Sequence, residues 1–201
     1  MKLFNIKKEE RKPVLILFVQ FFSVVATSIT GSTARDAFFL NLFDRSYLPL
    51  MFVAIAITMV IVINIYKRIT DGKNIIQVIT VSGAMFAGLL LIIQLSLTRL
   101  FSIYSDGGGA EAIAALPEKW VIPILFILME VIVSLSILQF WMLAGEVFDA
   151  RQAKRLFSIL GAGGSVAGML AGYSLKPFVK TFGSDKLLYL TVIFIGMYVF
   201  M

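Results

Sequence analysis

The sequence predicts an all-α protein, a polytopic transmembrane helix bundle with about six spans. Hydrophobic residues make up 59% of the 201 residues, and charged residues make up only 15%, against about 25% in soluble domains. Long apolar runs recur along the chain and are separated by short charged segments. A soluble fold has no way to cover so much apolar surface, whereas a lipid environment removes the need to cover it.

The composition also excludes several kinds of chemistry. The chain has neither cysteine nor histidine, so disulfides and thiolate or imidazole ligands are excluded, and we expect no metal site and no cofactor. We do not expect an enzyme, which would have to rely on carboxylates, Lys, Ser or Tyr. The net charge of +6 comes from basic clusters between apolar runs, which is typical of membrane orientation and not of nucleic-acid binding.

Six apolar stretches are candidate spans, because about 20 apolar residues cross the ~30 Å hydrocarbon core of a bilayer. They cover residues 14–42, 47–66, 75–97, 120–147, 156–175 and 187–201. Connections are short except at 101–119, where Asp106–Gly109 begins a Gly- and Ala-rich loop. We expect a single transmembrane domain over 1–201. The last stretch is only about 22 Å of helix, which predicts a chain truncated within its sixth span.

The basic residues are distributed unevenly between the two predicted sides of the bundle. Alternate segments, starting with the N-terminal one, hold eleven of the eighteen Lys and Arg. The positive-inside rule therefore predicts a cytoplasmic N-terminus. The N-terminal run also has features of a cleaved signal peptide, but its apolar stretch is long and its removal would invert the charge bias.

Charged residues inside the first span are the first candidates for function, because a charge at mid-helix costs about 2.5–3.5 kcal/mol and usually faces protein or water. Arg35 and Asp36 lie near the end of this span, and the apolar run resumes after them. Two interpretations remain open. Arg35 lines a substrate path with Asp36 as its counter-charge, or the two form an interfacial ion pair that ends the span.

Glu130 lies ten residues into the fourth span, with no polar neighbour before Ser134. A carboxylate at that depth needs a cavity or a partner, unless the span begins later and Glu130 is interfacial. Glu130, Ser134 and Ile137 share one helix face by their spacing. This predicts a polar stripe directed toward the bundle interior.

A third group of charges lies at the turn between the fourth and fifth spans. It contains Glu146, Asp149, Lys154 and Arg155, together with Arg151. Such a turn is either simply solvated, or an ionic latch that holds the helices in one state and breaks in another.

The fifth span begins with a glycine-rich stretch, Gly161-Ala-Gly-Gly-Ser-Val-Ala-Gly. It differs from a dinucleotide fingerprint because Val166 replaces the third glycine and no strand–turn–helix context surrounds it. Gly164, Gly168 and Gly172 recur every four residues, which predicts close helix packing in lipid. That packing is either static or a seam along which helices slide.

Several of these features occur in order between Leu128 and Gly172. Leu-Met-Glu130 is followed by Phe140-Trp141, Gly145-Glu146, Gln152-Ala-Lys-Arg-Leu-Phe and the glycine-rich span. This order resembles the ATP/ADP antiporters of plastids and obligate intracellular bacteria, in which Met-Ala-Glu-Leu-Trp leads through Phe-Trp and Asn-Glu to Glu-Ala-Lys-Arg-Phe. The end of the first span is also similar to the family's Arg-Asp-Thr-Lys-Asp, with Arg35 and Asp36 at its last two positions.

The resemblance implies a multi-pass transporter of a bacterial-type inner membrane, exchanging ATP for ADP by alternating access. The family has about twelve helices on a major-facilitator-like plan, so this chain would be its first half, two three-helix units around a midplane site. The implied partners are the lipid bilayer, a small anionic solute such as ATP or ADP, and a C-terminal six-helix half. Arg35, Asp36 and Glu130 would belong to the substrate-binding site, and Lys154 and Arg155 would form part of the cytoplasmic gate.

The sequence departs from the family pattern at three places. Ser32 stands where the family has its first arginine of the span-one segment, Ile132 lies near the place of the tryptophan after the glutamate, and Gly145 replaces asparagine. These differences leave two alternatives open. One is a transporter of the same fold for another small organic anion, and the other is a non-transporting membrane domain that anchors or regulates soluble domains.

Overall fold

A computed structural model describes residues 7–103 and 117–201, and this part of the chain contains helices and turns but no strand. These residues form six α-helices, and short 3-10 turns precede four of them. The helices are α1 Arg11–Leu42, α2 Leu48–Thr70, α3 Ile75–Ile103, α4 Val121–Val147, α5 Ala150–Phe182 and α6 Leu187–Phe200. The predicted all-α helical bundle is confirmed.

Five of the described helices are long and apolar enough to cross a membrane, and the sixth, α6, is apolar but has only 14 residues. At 1.5 Å per residue α6 is about 21 Å long. It begins at Leu187, where the sixth span was expected to start. The Gly- and Ala-rich stretch at Asp106–Gly109 lies outside the described residues.

The fifth helix is longer at both ends than the stretch 156–175 expected from the sequence. It begins at Ala150 because the Asp149 carboxylate caps it, accepting hydrogen bonds from the backbone N–H groups of Arg151 and Gln152 at 3.0 and 2.9 Å. It continues through Pro177 and ends before Gly183, whose φ of 87° is left-handed. The basic residues expected in a turn therefore lie on the first turns of α5.

Helix α1 lies at the centre of the bundle and packs against α4, α5 and α6. Helix α3 packs on α4 and α6, while α2 packs mainly on α4. The buried face of α1 includes small polar residues, two of which have hydroxyls that are hydrogen-bonded within the helix. Ser23 and Thr30 donate to the carbonyls of Val19 and Ala26, each at 2.8 Å. These bonds offset the cost of burying the two hydroxyls, whereas the Thr27 hydroxyl, also buried on this face, has no partner among the described residues.

Two clusters of buried apolar residues hold the helices together. Phe38, Phe39, Phe126 and Met129 belong to the first cluster, at the C-terminal end of α1. The second cluster lies at the N-terminal end of α1 and joins it to α4 and α5 through Leu17, Phe140, Leu156 and Leu160. The charged residues of the first span lie beside the first cluster.

The contact between α1 and α5 is made by small residues. A Cβ on Gly163 would lie 2.7 Å from the backbone oxygen of Phe18, and one on Gly164 would lie 2.8 Å from the Phe21 ring. Within the described chain, nothing lies within 4 Å of a Cβ on Gly168 or Gly172. Of the glycine stripe expected from the sequence, Gly164 lies in this contact, while Gly168 and Gly172 face open space. Ala167 and Ala171 continue the buried face instead.

We expect Gly163→Ala to lower the melting temperature of the protein in detergent, because the added methyl group meets the α1 backbone and overpacking costs about 1–3 kcal/mol. The matched control is Gly168→Ala, which adds the same methyl group in open space. That control should be neutral or gain about 0.5–1 kcal/mol from higher helix propensity. A Gly163→Ala protein that melts at or above the control would contradict this packing.

Candidate functional site: a buried arginine between two carboxylates

The charges predicted in the first and fourth spans meet in the folded chain. Arg35 on α1 donates from Nε to Oδ1 of Asp36 at 2.9 Å, and from Nη1 to Oε1 of Glu130 on α4. The guanidinium carbon of Arg35 lies 4.2 Å from the centre of the Phe126 ring. One cation is therefore held by two carboxylates and an aromatic face, a favourable environment for arginine.

The three charged side chains differ in their access to the outside of the bundle. Arg35 is only 8% exposed, whereas the side chains of Glu130 and Asp36 are 34% and 49% exposed. Arginine has five N–H donors, and Arg35 uses two of them within the described part of the chain. The remaining donors form no hydrogen bond among the described residues, and the two carboxylates form the more exposed side of the site.

A glycine sets the approach of the two helices that carry the site. A Cβ on Gly31, one turn before Arg35, would overlap the methyl group of Met129, the residue next to Glu130. The absence of that side chain lets α1 and α4 come close enough for Arg35 to reach Glu130. Phe39 and Phe126, with ring centres 4.9 Å apart, close the site on the side toward the end of α1.

The expected polar stripe on α4 lies on one face, but that face does not point into the bundle. Glu130 and Ser134 are half-buried and Ile137 is exposed. The interior side of α4 is occupied by residues such as Ile132 and Phe140, both fully buried. The prediction of an inward stripe was wrong, because large apolar side chains fill the interior and leave Glu130 at its edge.

A cavity of about 360 Å³ lies near the site, between the C-terminal end of α1 and the N-terminal ends of α2 and α4. Its lining includes four aromatic residues and both signs of charge: Phe39, Phe43, Asp44, Tyr47, Lys119 and Trp120 are among its residues. Phe39 stacks on Phe43 with ring centres 5.1 Å apart. Because Phe39 also contacts Phe126, this aromatic wall connects the cavity with the arginine.

A second ion pair joins the other end of α1 to the first turns of α5. Glu10, which is 5% exposed, accepts hydrogen bonds from Arg155 Nη2 at 2.6 Å and Gln152 Nε2 at 3.2 Å. The backbone N–H of Lys7 also donates to this carboxylate at 2.9 Å. Glu10 was not predicted from the sequence, because the N-terminal segment was interpreted only through its basic residues. The signal available was an acidic residue directly before a span, within a basic segment.

The other residues expected at the α4–α5 turn have separate positions. Asp149 caps α5, and Gln152 in turn accepts from the Asp149 backbone N–H at 3.2 Å. Glu146 and Lys154 are exposed, and neither forms an ion pair among the residues that the structure describes. No group of three Asp or Glu suited to a metal ion occurs in residues 7–103 and 117–201.

A chain of hydrogen bonds inside the bundle links helices α1, α3, α4 and α6. Gln139 on α4 donates to Ser82 on α3 at 2.9 Å and accepts from the Tyr198 hydroxyl on α6 at 3.1 Å. Gln20 on α1 donates to the Tyr198 carbonyl at 3.3 Å. These polar groups fix four helices relative to one another, since each group would be costly if left unpaired in the membrane.

The fold and this site together define a multi-pass helical membrane protein with a buried cation between two carboxylates. The family model described as TLC ATP/ADP transporter matches residues 2–193, so the chain belongs to the TLC ATP/ADP transporter family. In the same comparisons, no curated protein and no solved structure matches the chain.

The contact between α1 and α5 can be tested by a double-mutant cycle on Glu10 and Arg155. We expect Glu10→Gln and Arg155→Gln each to lower the melting temperature in detergent, and the double variant to melt close to the single variants, because the two share one interaction. Glu9→Gln is the matched control, since Glu9 is exposed beside Glu10. Additive losses, or an equal loss for Glu9→Gln, would show that the pair is not coupled.

Proposed function

We propose that this chain forms the substrate-binding part of a transporter that exchanges ATP for ADP by alternating access. The observation that supports the proposal most is the Arg35 site. A buried guanidinium with unused donors lies between two carboxylates on different helices, in a member of an ATP/ADP transporter family. A charged group in a span is costly and usually serves a substrate or ion pathway.

Arg35 is the proposed contact to the substrate phosphates. Arginine suits this role because its planar guanidinium binds two phosphate oxygens at once and stays charged under all physiological conditions. Phe126 beneath the guanidinium restricts its orientation without using an N–H donor. The aromatic cavity next to Phe39 would then accept the less polar part of the nucleotide.

Glu130 and Asp36 are the proposed counter-charges that hold Arg35 when no substrate is bound. An arriving phosphate competes with Glu130 for the guanidinium, and Glu130 is free to leave because it is one-third exposed. Asp36 is adjacent to Arg35 on the same helix and stays with it. Because Glu130 belongs to α4, its release loosens the link between α1 and α4, which couples substrate binding to helix movement.

The proposed gate lies at the other end of α1, with Lys154 and Arg155 on α5. Arg155 already binds Glu10 in the present arrangement, and Glu146, Asp149 and Lys154 lie exposed nearby in the chain. In the proposed cycle the Glu10–Arg155 pair closes one side and breaks when access changes. In this proposal the protein lies in a bacterial-type inner membrane and has a second six-helix half on a major-facilitator-like plan. The exposed apolar faces of α2 and α5 would pack against that half.

We expect Arg35→Ala and Glu130→Ala to abolish exchange of labelled ATP against internal ADP by the full-length protein in proteoliposomes. Arg35→Ala removes the proposed phosphate contact, and Glu130→Ala removes the charge partner on α4 whose release is proposed to couple substrate binding to helix movement. Lys180→Gln, an exposed change on α5, is the control that should retain wild-type exchange. Robust exchange by both alanine variants would remove these residues from the mechanism.

A transporter for another small organic anion is the second candidate, and Ser32 favours it, since one cation of the family pattern is missing there. A thermal-shift panel of nucleotides and dicarboxylates distinguishes the two. Stabilisation by ATP and ADP that disappears in Arg35→Ala supports nucleotide exchange, whereas stabilisation by a dicarboxylate alone supports the second candidate. A non-transporting anchor would respond to neither class of anion.

A further inference from the structure

A large cleft lies away from the arginine site, between the end of α2 and the start of α3. Its volume is about 700 Å³. Tyr66, Ile69 and Thr70 of α2 line one side, Leu135 of α4 lies at its base, and the other side is formed by α3 from Ile76 to Phe86. Neither the Arg35 site nor the Glu10–Arg155 pair contributes a residue to it.

The cleft is as deep as one leaflet of a membrane. Along α3 it extends from Ile76 to Phe86, which is about 15 Å at 1.5 Å per residue. The hydrocarbon core of a bilayer is about 30 Å thick. A cleft that starts at the end of the span and reaches the middle of the bilayer matches the depth of a single acyl chain.

The walls of the cleft are largely apolar, although Gln77, Thr80 and Ser82 also line it, and they open to the outside of the described bundle. Ile76, Val81 and Met85 line it and remain 61%, 69% and 55% exposed. Helix α2, which lines the other side, is itself almost entirely on the surface of the described bundle, with only 6% of its most apolar stretch buried. An acyl chain can therefore enter from the side, between the helices, and cover surface that the described helices leave open.

The mouth of the cleft is basic. Lys73 lines it at the turn between α2 and α3, and Lys67 and Arg68 are exposed on the last turn of α2. Asp71 is the one carboxylate in this turn, so the segment from Lys67 to Lys73 has a net charge of +2. No other residue that lines the described cleft carries a charge.

We propose that this cleft binds one anionic diacyl phospholipid, with an acyl chain along α3 and the phosphate at Lys73, assisted by Lys67 and Arg68. Basic groups at the membrane surface select anionic headgroups, and the apolar depth selects a lipid over a soluble phosphate. Thr70, a hydroxyl-bearing residue near the mouth, lies where the glycerol backbone would be.

In the test, the full-length protein is delipidated and then incubated with phosphatidylglycerol or with phosphatidylcholine of identical acyl chains. Native mass spectrometry then measures how much of each lipid the protein retains. We expect preferential retention of phosphatidylglycerol. Lys73→Gln should reduce that preference about fivefold, the effect of one charge near an anionic surface. Arg151→Gln is the matched control. It also removes one exposed basic residue at the same end of the helix bundle, but this residue lies outside the cleft.

A second variant tests the apolar part of the site. Met85→Trp places a bulky ring in the cleft and should reduce retention of phosphatidylglycerol while leaving the Arg35 site intact, and Val81→Trp serves the same purpose if Met85→Trp does not fold. Equal retention of both lipids, a preference unchanged in Lys73→Gln, or full displacement by inorganic phosphate would overturn the proposal.

Discussion

The burial of one positive charge in an apolar bundle is the constraint on which the rest of the site depends. Arg35 is tolerated because Asp36 and Glu130 neutralise it and Phe126 covers its face, since an isolated charge in hydrocarbon is costly. This requirement brings α1 and α4 together at Gly31, where a side chain would overlap Met129. The close helix contact and the charged site are therefore one feature.

Helix α1 carries an ion pair at each end, to a different partner helix. Arg35 binds Glu130 on α4, and Glu10 binds Arg155 on α5. Glu10, at the N-cap of α1, and Arg35 are separated by 25 residues, about 37 Å along a helix. Between them, buried hydrogen bonds of Gln20 and Gln139 tie α1 and α4 to α3 and α6. An anion that displaces Glu130 would release one end of α1 while the other end remains held.

Composition and apolar run length were sufficient to predict the helical bundle, and the cost of a buried charge was sufficient to single out Arg35 and Glu130. That argument required a cavity or a partner for Glu130 without saying which, because the rotation of one helix against another depends on packing across the whole bundle. For the same reason the glycine repeat did not reveal that Gly163, and not Gly168, faces α1. The start of α5 was predictable in principle, since Asp149 and Gln152 have the spacing of a capping box.

The central claim is that Arg35 serves a substrate anion and not only the stability of the bundle. The most direct test exchanges the two charges, comparing Arg35→Glu, Glu130→Arg and the double variant for melting temperature and for ATP/ADP exchange in proteoliposomes. The double variant restores an ion pair between α1 and α4 but moves the cation to the other helix. We expect it to recover the melting temperature lost in the single variants and to remain inactive in exchange. Recovery of both properties would show that the pair is structural and would contradict the account.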